Sequence, residues 1–344
     1  MTKKILVSGG SGYIGSHTVV ELLKKGFEPV IADNYSNSNP KIPELIGRIT
    51  GKVPISETID FCDRKALDSL FARHPEIAGV IHFAAYKAVG ESVENPLKYY
   101  HNNLFSLINL LECMQSYSCR HLVFSSSCTV YGQPDQLPVT ETAPVQQAMS
   151  PYGNTKQISE EIILDTVKAS SLQAISLRYF NPIGAHESGL IGELPIGVPG
   201  NLVPFITQTA IGKRDRLKVF GNDYPTPDGT AIRDYIYVCD LALAHIAALD
   251  RLMHHDQPHR HEVFNLGTGN GNSVLEVIRA FEKVSNVKLA WEFAPRRAGD
   301  VVEVWADTSL ANVKLNWKAR AGLVHMVATV WVWERNLAEG IMNQ

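Results

Sequence analysis

The chain has 344 residues, 45% of them apolar and 19% charged, a composition that supports one large globular unit or two modest ones. Its formal net charge is −3 and it has no Lys/Arg-rich run, which argues against a nucleic-acid partner. Five scattered cysteines without a Cys-x-x-Cys pair read as reduced thiols, and the apolar stretches are too short for a leader or a bilayer span, so a cytoplasmic location without a membrane partner is expected.

In chain order, Lys4–Ser8 is a strand of continuous apolar residues, and Tyr13–Lys24 has helical spacing with Gly26 just past its end. Further strands are predicted at Pro29–Asp33, 53–60, 79–84, 121–126 and 173–177, with helices over about 97–117 and 152–169. On the first of those helices Tyr100, Leu104, Leu107, Ile108, Leu111 and Met114 form the predicted apolar face. Such alternation implies an α/β fold, a doubly wound parallel sheet of the Rossmann type. Residues 182–235 are rich in Gly and Pro and read as binding loops. A strand at Glu262–Leu266 and a helix over 273–284 resume regular structure, and 321–333 reads as a buried helix. The expected organisation is a cofactor domain over 1–180, to which about 236–268 returns, and a smaller α/β C-terminal substrate domain over 181–344.

Between the first strand and helix lies Ser8-Gly-Gly-Ser-Gly-Tyr-Ile-Gly15. Glycines so spaced give a tight turn, let backbone approach a pyrophosphate, and pack helix close to strand. The pyrophosphate then meets the helix N-terminus. Asp33 ends the second strand, where an acid accepts from adenosine ribose hydroxyls and repels a 2′-phosphate, so NAD is the expected cofactor. Ser125-Ser-Ser127 closes a strand, and Tyr152 and Lys156 share a helix face at i,i+4. A phenol beside an ammonium and an oxidised nicotinamide becomes a usable base, and Ser127 can steer the same substrate proton.

With these motifs in place, the chain resembles the extended short-chain dehydrogenase/reductases and, within them, the UDP-glucose 4-epimerase family. The resemblance rests on Gly12–Thr18, Asp33-Asn34, His82–Ser92, Tyr99–Asn103, Phe124–Ser127, Arg178–Pro182, Gly221–Thr226, Arg233–Tyr235 and Arg296-Arg297 with Asp300. It implies an isomerase of galactose metabolism that interconverts UDP-glucose and UDP-galactose through a 4-ketose, with NAD tightly held, and it implies a homodimer. Tyr152 would be the base, with Lys156 and Ser127 as its partners. Gly9, Gly12, Tyr13, Ile14, Asp33, Asn34, Asn37, Ser38, Asp60 and Phe61 would hold the adenosine and diphosphate side of the cofactor. Phe83, Ala84, Lys87, Asn102, Ser125, Tyr152, Lys156 and Tyr179 would line the remainder of its site. The UDP-hexose would contact Lys87, Ser127, Tyr152, Asn181, Asn201, Leu202, Phe220, Arg233, Tyr235, Arg297, Asp300 and Val304. Arg233 and Arg297 suit a diphosphate in their own right, since a guanidinium grips it bidentately.

Val304 takes a position where a tyrosine narrows the family's sugar pocket, so activity on UDP-N-acetylglucosamine and UDP-N-acetylgalactosamine is also expected. Gly200 stands where the family often has asparagine. The rival readings are a 4,6-dehydratase, a UDP-uronate 4-epimerase and an NAD-sensing regulator without catalysis. Ser127-Cys-Thr-Val130 offers no acid pair for dehydration, and a sensor would not need Tyr152 and Lys156. The histidines of 254–261 do not match a zinc spacing and read as a surface loop, so no metal is expected. No function is assigned after Asn316.

Overall fold

A computed structural model describes residues 3–254, 259–297 and 300–342. The chain opens with β1 (Lys4–Ser8), α1 (Tyr13–Lys24), β2 (Glu28–Asp33), α2 (Ile42–Thr50), β3 (Ile55–Thr58) and α3 (Arg64–Arg73). It continues with β4 (Ile77–His82), α4 (Val89–Glu94), α5 (Pro96–Ser116), β5 (His121–Ser125), α6 (Pro151–Ala169) and β6 (Gln173–Tyr179). These six strands and a later one, His261–Leu266, form a seven-stranded parallel sheet in the order His261–Leu266, β6, β5, β4, β1, β2, β3.

The pattern follows from the sequence. Parallel strands covered on both faces must be apolar throughout, and Ile5, Leu6, Val7, Val30, Ile31, Val80, Ile81, Leu122 and Val123 are all fully buried. Each such side chain contributes on the order of 1.5–3 kcal/mol by leaving water. The chain moves outward through β2 and β3, then returns past β1 to β4. That reversal opens a crevice at the carboxyl ends of β1 and β4, the usual ligand position in such sheets. The segments 236–266 supply this sheet with the helix Val238–His254, which packs on α1, and with the strand His261–Leu266.

A second, smaller set of strands is built around Ile232–Tyr237. Gly271–Ser273 pairs with it antiparallel, and Glu303–Val304 and Asn181–Ile183 pair with it in parallel. Leu217–Phe220 and Trp291–Ala294 form a separate parallel pair. The helix Val274–Ser285 starts in a capping box between Ser273 and Glu276. The apolar stretch near the C-terminus forms the helix Leu323–Ala338, with Trp333 buried beneath Gly192. Among the described residues no helix is long and apolar enough to cross a membrane.

The predicted apolar face of α5 needs correction. Its buried seam runs through Tyr99, Asn103, Ser106, Leu107, Leu110, Leu111 and Met114. Ile108 is 36% exposed and Phe105 52% exposed. The reason is that two polar residues, Asn103 and Ser106, belong to the seam. Asn103 donates to Tyr86 O and Thr155 Oγ1 and accepts from Tyr86 N, so its burial is compensated. The histidine segment also divides: His254 ends a helix beside Asp250, His261 starts a sheet strand with its ring against Ser176 Oγ, and 255–258 lie outside the described residues.

His82 closes β4, fully packed between Phe61 and Phe124, with Nδ1 2.7 Å from Ser8 Oγ. Burial, and then the Lys156 charge, push its imidazole from 6.5 down to about 3. Between those values the unfolded chain binds a proton that the folded chain refuses, so folding stability falls as the pH drops below about 6.5. Urea denaturation should therefore show a fall in unfolding free energy between pH 7 and pH 5. His82→Gln should reduce that fall by about 2 kcal/mol, and an unchanged fall would contradict a buried neutral His82.

Candidate active site

The glycine turn leaves β1 and caps α1, with Gly12 in extended conformation at the N-cap. A Cβ on Gly15 would lie 2.3 Å from Gly9 O, and one on Gly9, whose φ is +66°, would lie 3.0 Å from Ala84 N. The turn is therefore a cradle that side chains would fill; its Gly9, Ser11 and Gly12 N–H groups are taken by Ala32 O, Asp33 and Gly9 O, so a pyrophosphate would meet the N-terminus of α1. Asp33 is buried at the end of β2 and accepts from Ser11 N, Tyr35 N and Ser38 Oγ. Among the described residues one of its oxygens takes only the Ser11 bond, which leaves capacity for a ribose hydroxyl.

A single cleft gathers the predicted cofactor residues except Tyr152 and Lys156, which lie buried behind its Ser125 wall. Gly9, Gly12, Tyr13 and Ile14 line its β1 side, and Asp33, Asn34, Asn37, Ser38, Asp60 and Phe61 line the β2 and β3 side. Phe83, Ala84, Lys87, Asn102, Ser125 and Tyr179 complete the wall towards β5 and β6. These groups fit a dinucleotide: an acid at one end, Cβ-free backbone in the middle and polar hydroxyls at the other.

Tyr152 and Lys156 stand at the open end of the sheet on α6, whose start is set by Pro151 and by Ser150 Oγ accepting from Gly153 N. Both are buried. Lys156 Nζ donates to Ser125 O at 2.8 Å and lies 6.0 Å from the centre of the Tyr152 ring. Burial lowers its ammonium from 10.5 to about 8, and Glu160 opposes that shift. Burial also holds the Tyr152 phenol well above its ordinary value, reinforced by Tyr179 and opposed by the Ser127 hydroxyl. Within the chain alone burial therefore favours the protonated phenol. Ser127 lies beyond β5, at the cap of a short 3-10 turn, and accepts from Thr129 N, which leaves its own proton available.

The predicted sugar-nucleotide residues fall around the strand Ile232–Tyr237. Asn181 is the register partner of Tyr235, and Val304 that of Arg233. Arg233 and Arg297 flank Asp300 at 3.8 and 3.3 Å, and the Arg297 guanidinium lies 4.8 Å over the Phe220 ring. Arg296 is engaged elsewhere, with Asp223 and the Tyr224 ring. Val304 is buried with Val130, Tyr131, Val139 and Phe180, against Cys128, the neighbour of Ser127. Asn201 precedes the helix that begins at Leu202 and donates to Glu193, which also accepts from Lys87. Glu193, Gly192 and Leu194 line the cofactor cleft without having been predicted. They sit in the Gly/Pro-rich region, where only its length signalled binding.

Fold and site together define an NAD-binding enzyme of the short-chain dehydrogenase/reductase type. The family model described as GDP-mannose 4,6 dehydratase matches residues 6–330. A UDP-glucose 4-epimerase of Yersinia pestis is 50% identical over 337 residues, 98% of each chain. The solved UDP-glucose 4-epimerase of Bifidobacterium longum, in complex with NAD+ and UDP, is 45% identical with a TM-score of 0.94, covering 98% of this chain and 100% of that one. That of Stenotrophomonas maltophila, with bound NAD and formylated UDP-arabinopyranose, is 47% identical at the same TM-score, covering 98% and 99%. The chain belongs to the UDP-glucose 4-epimerase family.

Proposed function

We propose that this chain interconverts UDP-glucose and UDP-galactose at C4 with NAD as a resident cofactor. The observation that carries the reading is the burial of Tyr152 beside Lys156 and Ser127, with Lys156 bonded to the carbonyl of Ser125, a residue that lines the dinucleotide cleft. Bound NAD supplies the hydride acceptor and donor that no side chain can provide. Tyr152 takes the C4 hydroxyl proton and returns it, and Ser127 hydrogen-bonds the same oxygen. Because burial alone favours the neutral phenol, deprotonation depends on the positive charge of the oxidised cofactor. Arg233 and Arg297 grip the diphosphate, so the nucleotide stays fixed while the ketose presents its other face.

Three finer assignments complete this reading. The cofactor domain spans 1–180 with 236–268, and the sugar-nucleotide domain takes most of 181–344. The five cysteines are free thiols, which suits the cytoplasm. The outward stripe Leu97, Phe105 and Ile108 of α5, continued by Leu164 of α6, is apolar and exposed, and it is the surface through which two copies would pair.

Tyr152→Phe should lower turnover of UDP-glucose about 10³-fold while NAD and UDP still bind by calorimetry; retained turnover would overturn the role of Tyr152. Valine at 304 is smaller than the tyrosine that narrows the family's sugar pocket, so product analysis should show UDP-N-acetylglucosamine converted. A protein that turns over UDP-glucose but not the N-acetylated sugar would refute that extension. Sedimentation should give a dimer for the natural chain and a single chain for the Phe105→Ser/Ile108→Ser variant. A natural chain that sediments singly would rule out the pairing.

A further inference from the structure

Behind the serine turn lies an ion pair that takes no part in the chemistry described above. Glu160 and Arg178 are both buried, at 8% and 6% exposure. Arg178 Nε and Nη2 donate to the two Glu160 oxygens at 3.0 and 2.5 Å, and Ser126 Oγ donates to Glu160 Oε1 at 2.5 Å. The guanidinium lies 4.8 Å over the Tyr131 ring. Glu160 is one helical turn beyond Lys156 on α6, and Arg178 immediately precedes Tyr179 on β6.

We infer that Glu160 and Arg178 are a positioning pair for the Ser127–Tyr152–Lys156 site: they fix the serine turn and set the charge balance around Lys156. The inference rests on the epimerase reading. The turn is tied at each step. Lys156 holds the Ser125 carbonyl, Tyr179 OH meets Ser125 Oγ at 2.8 Å, and Glu160 holds Ser126. Ser127 follows directly, and its direction is set by these anchors. A buried ion pair is seldom more stabilising than apolar residues of the same volume, so stability alone does not account for it.

The charge argument is independent of the anchoring. Lys156 faces Glu160 and Tyr152 on its own helix and neutral His82 from β4, and Arg178 of β6 stands behind Glu160. From β5 it meets only the Ser125 carbonyl and the Phe124 ring. Glu160 is thus the one carboxylate among the described residues that favours the Lys156 ammonium, and Arg178 moderates it.

The test is an NMR titration of ¹⁵N-lysine-labelled protein with NAD bound, the Lys156 signal being assigned by its loss in Lys156→Met. Glu160→Gln should lower the Lys156 midpoint and Arg178→Met should raise it, each by about one pH unit, while Arg178→Lys should leave it in place. A merely structural pair would move both in the same direction or not at all, and either result overturns the inference. Should the charge-removing variants fail to fold, Ser126→Ala decides. It should lower kcat several-fold at unchanged KM for UDP-glucose, and an unchanged kcat overturns the inference. Absence of turnover in the natural chain would instead refute the epimerase reading, which the titration does not depend on.

Discussion

The rest of the site depends on the burial of one lysine. An ammonium removed from water is costly unless it is paired or hydrogen-bonded. Lys156 is 5% exposed, yet its Nζ reaches a strand-end carbonyl at 2.8 Å. That bond couples α6 to the carboxyl end of β5 and so fixes where Tyr152 stands relative to the serine turn. The same sheltered setting pulls the lysine down to about 8 and pushes the tyrosine up. In the proposed reading, a phenol in that setting would give up its proton only when further positive charge arrives, which would link Tyr152 to the oxidised cofactor.

The sheet explains why two diphosphates can meet there. A chain of net charge −3 cannot attract polyanions by its overall field, so local donors must do so. In the proposed reading these would be the backbone groups of the glycine turn on one side, and Arg233 and Arg297 on the other. Asp300 lies between the two arginines and keeps them from repelling each other. One oxygen of Glu193 accepts from both Lys87 in the cleft and Asn201 beside the helix that begins at Leu202. The strand His261–Leu266, far along the chain, completes the first sheet and thereby brings the second set of strands next to it.

Much of this was legible in the sequence, for physical reasons. Parallel strands are continuous apolar runs, so β1, β2, β4, β5 and β6 stand out. The glycine turn, Asp33 and the Tyr152/Lys156 spacing are local patterns whose chemistry is carried by residue type. Partners brought together over long chain distances were not legible. Nothing near Glu193 signals Lys87, which lies 106 positions away. The α5 face was misread because a buried seam that includes Asn103 and Ser106 does not look apolar. The desolvation of Tyr152 was not legible either, because it depends on what packs around the ring. On the other side of α5, Phe105 and Ile108 face outward.

The central claim is that hydride leaves and returns to the same sugar carbon inside one sheltered site. UDP-glucose carrying deuterium at C4, converted in ordinary water, tests it most directly. Mass spectrometry of the UDP-galactose formed should find the deuterium retained at C4. Loss of the label to solvent would contradict a resident cofactor that holds the hydride between the two faces.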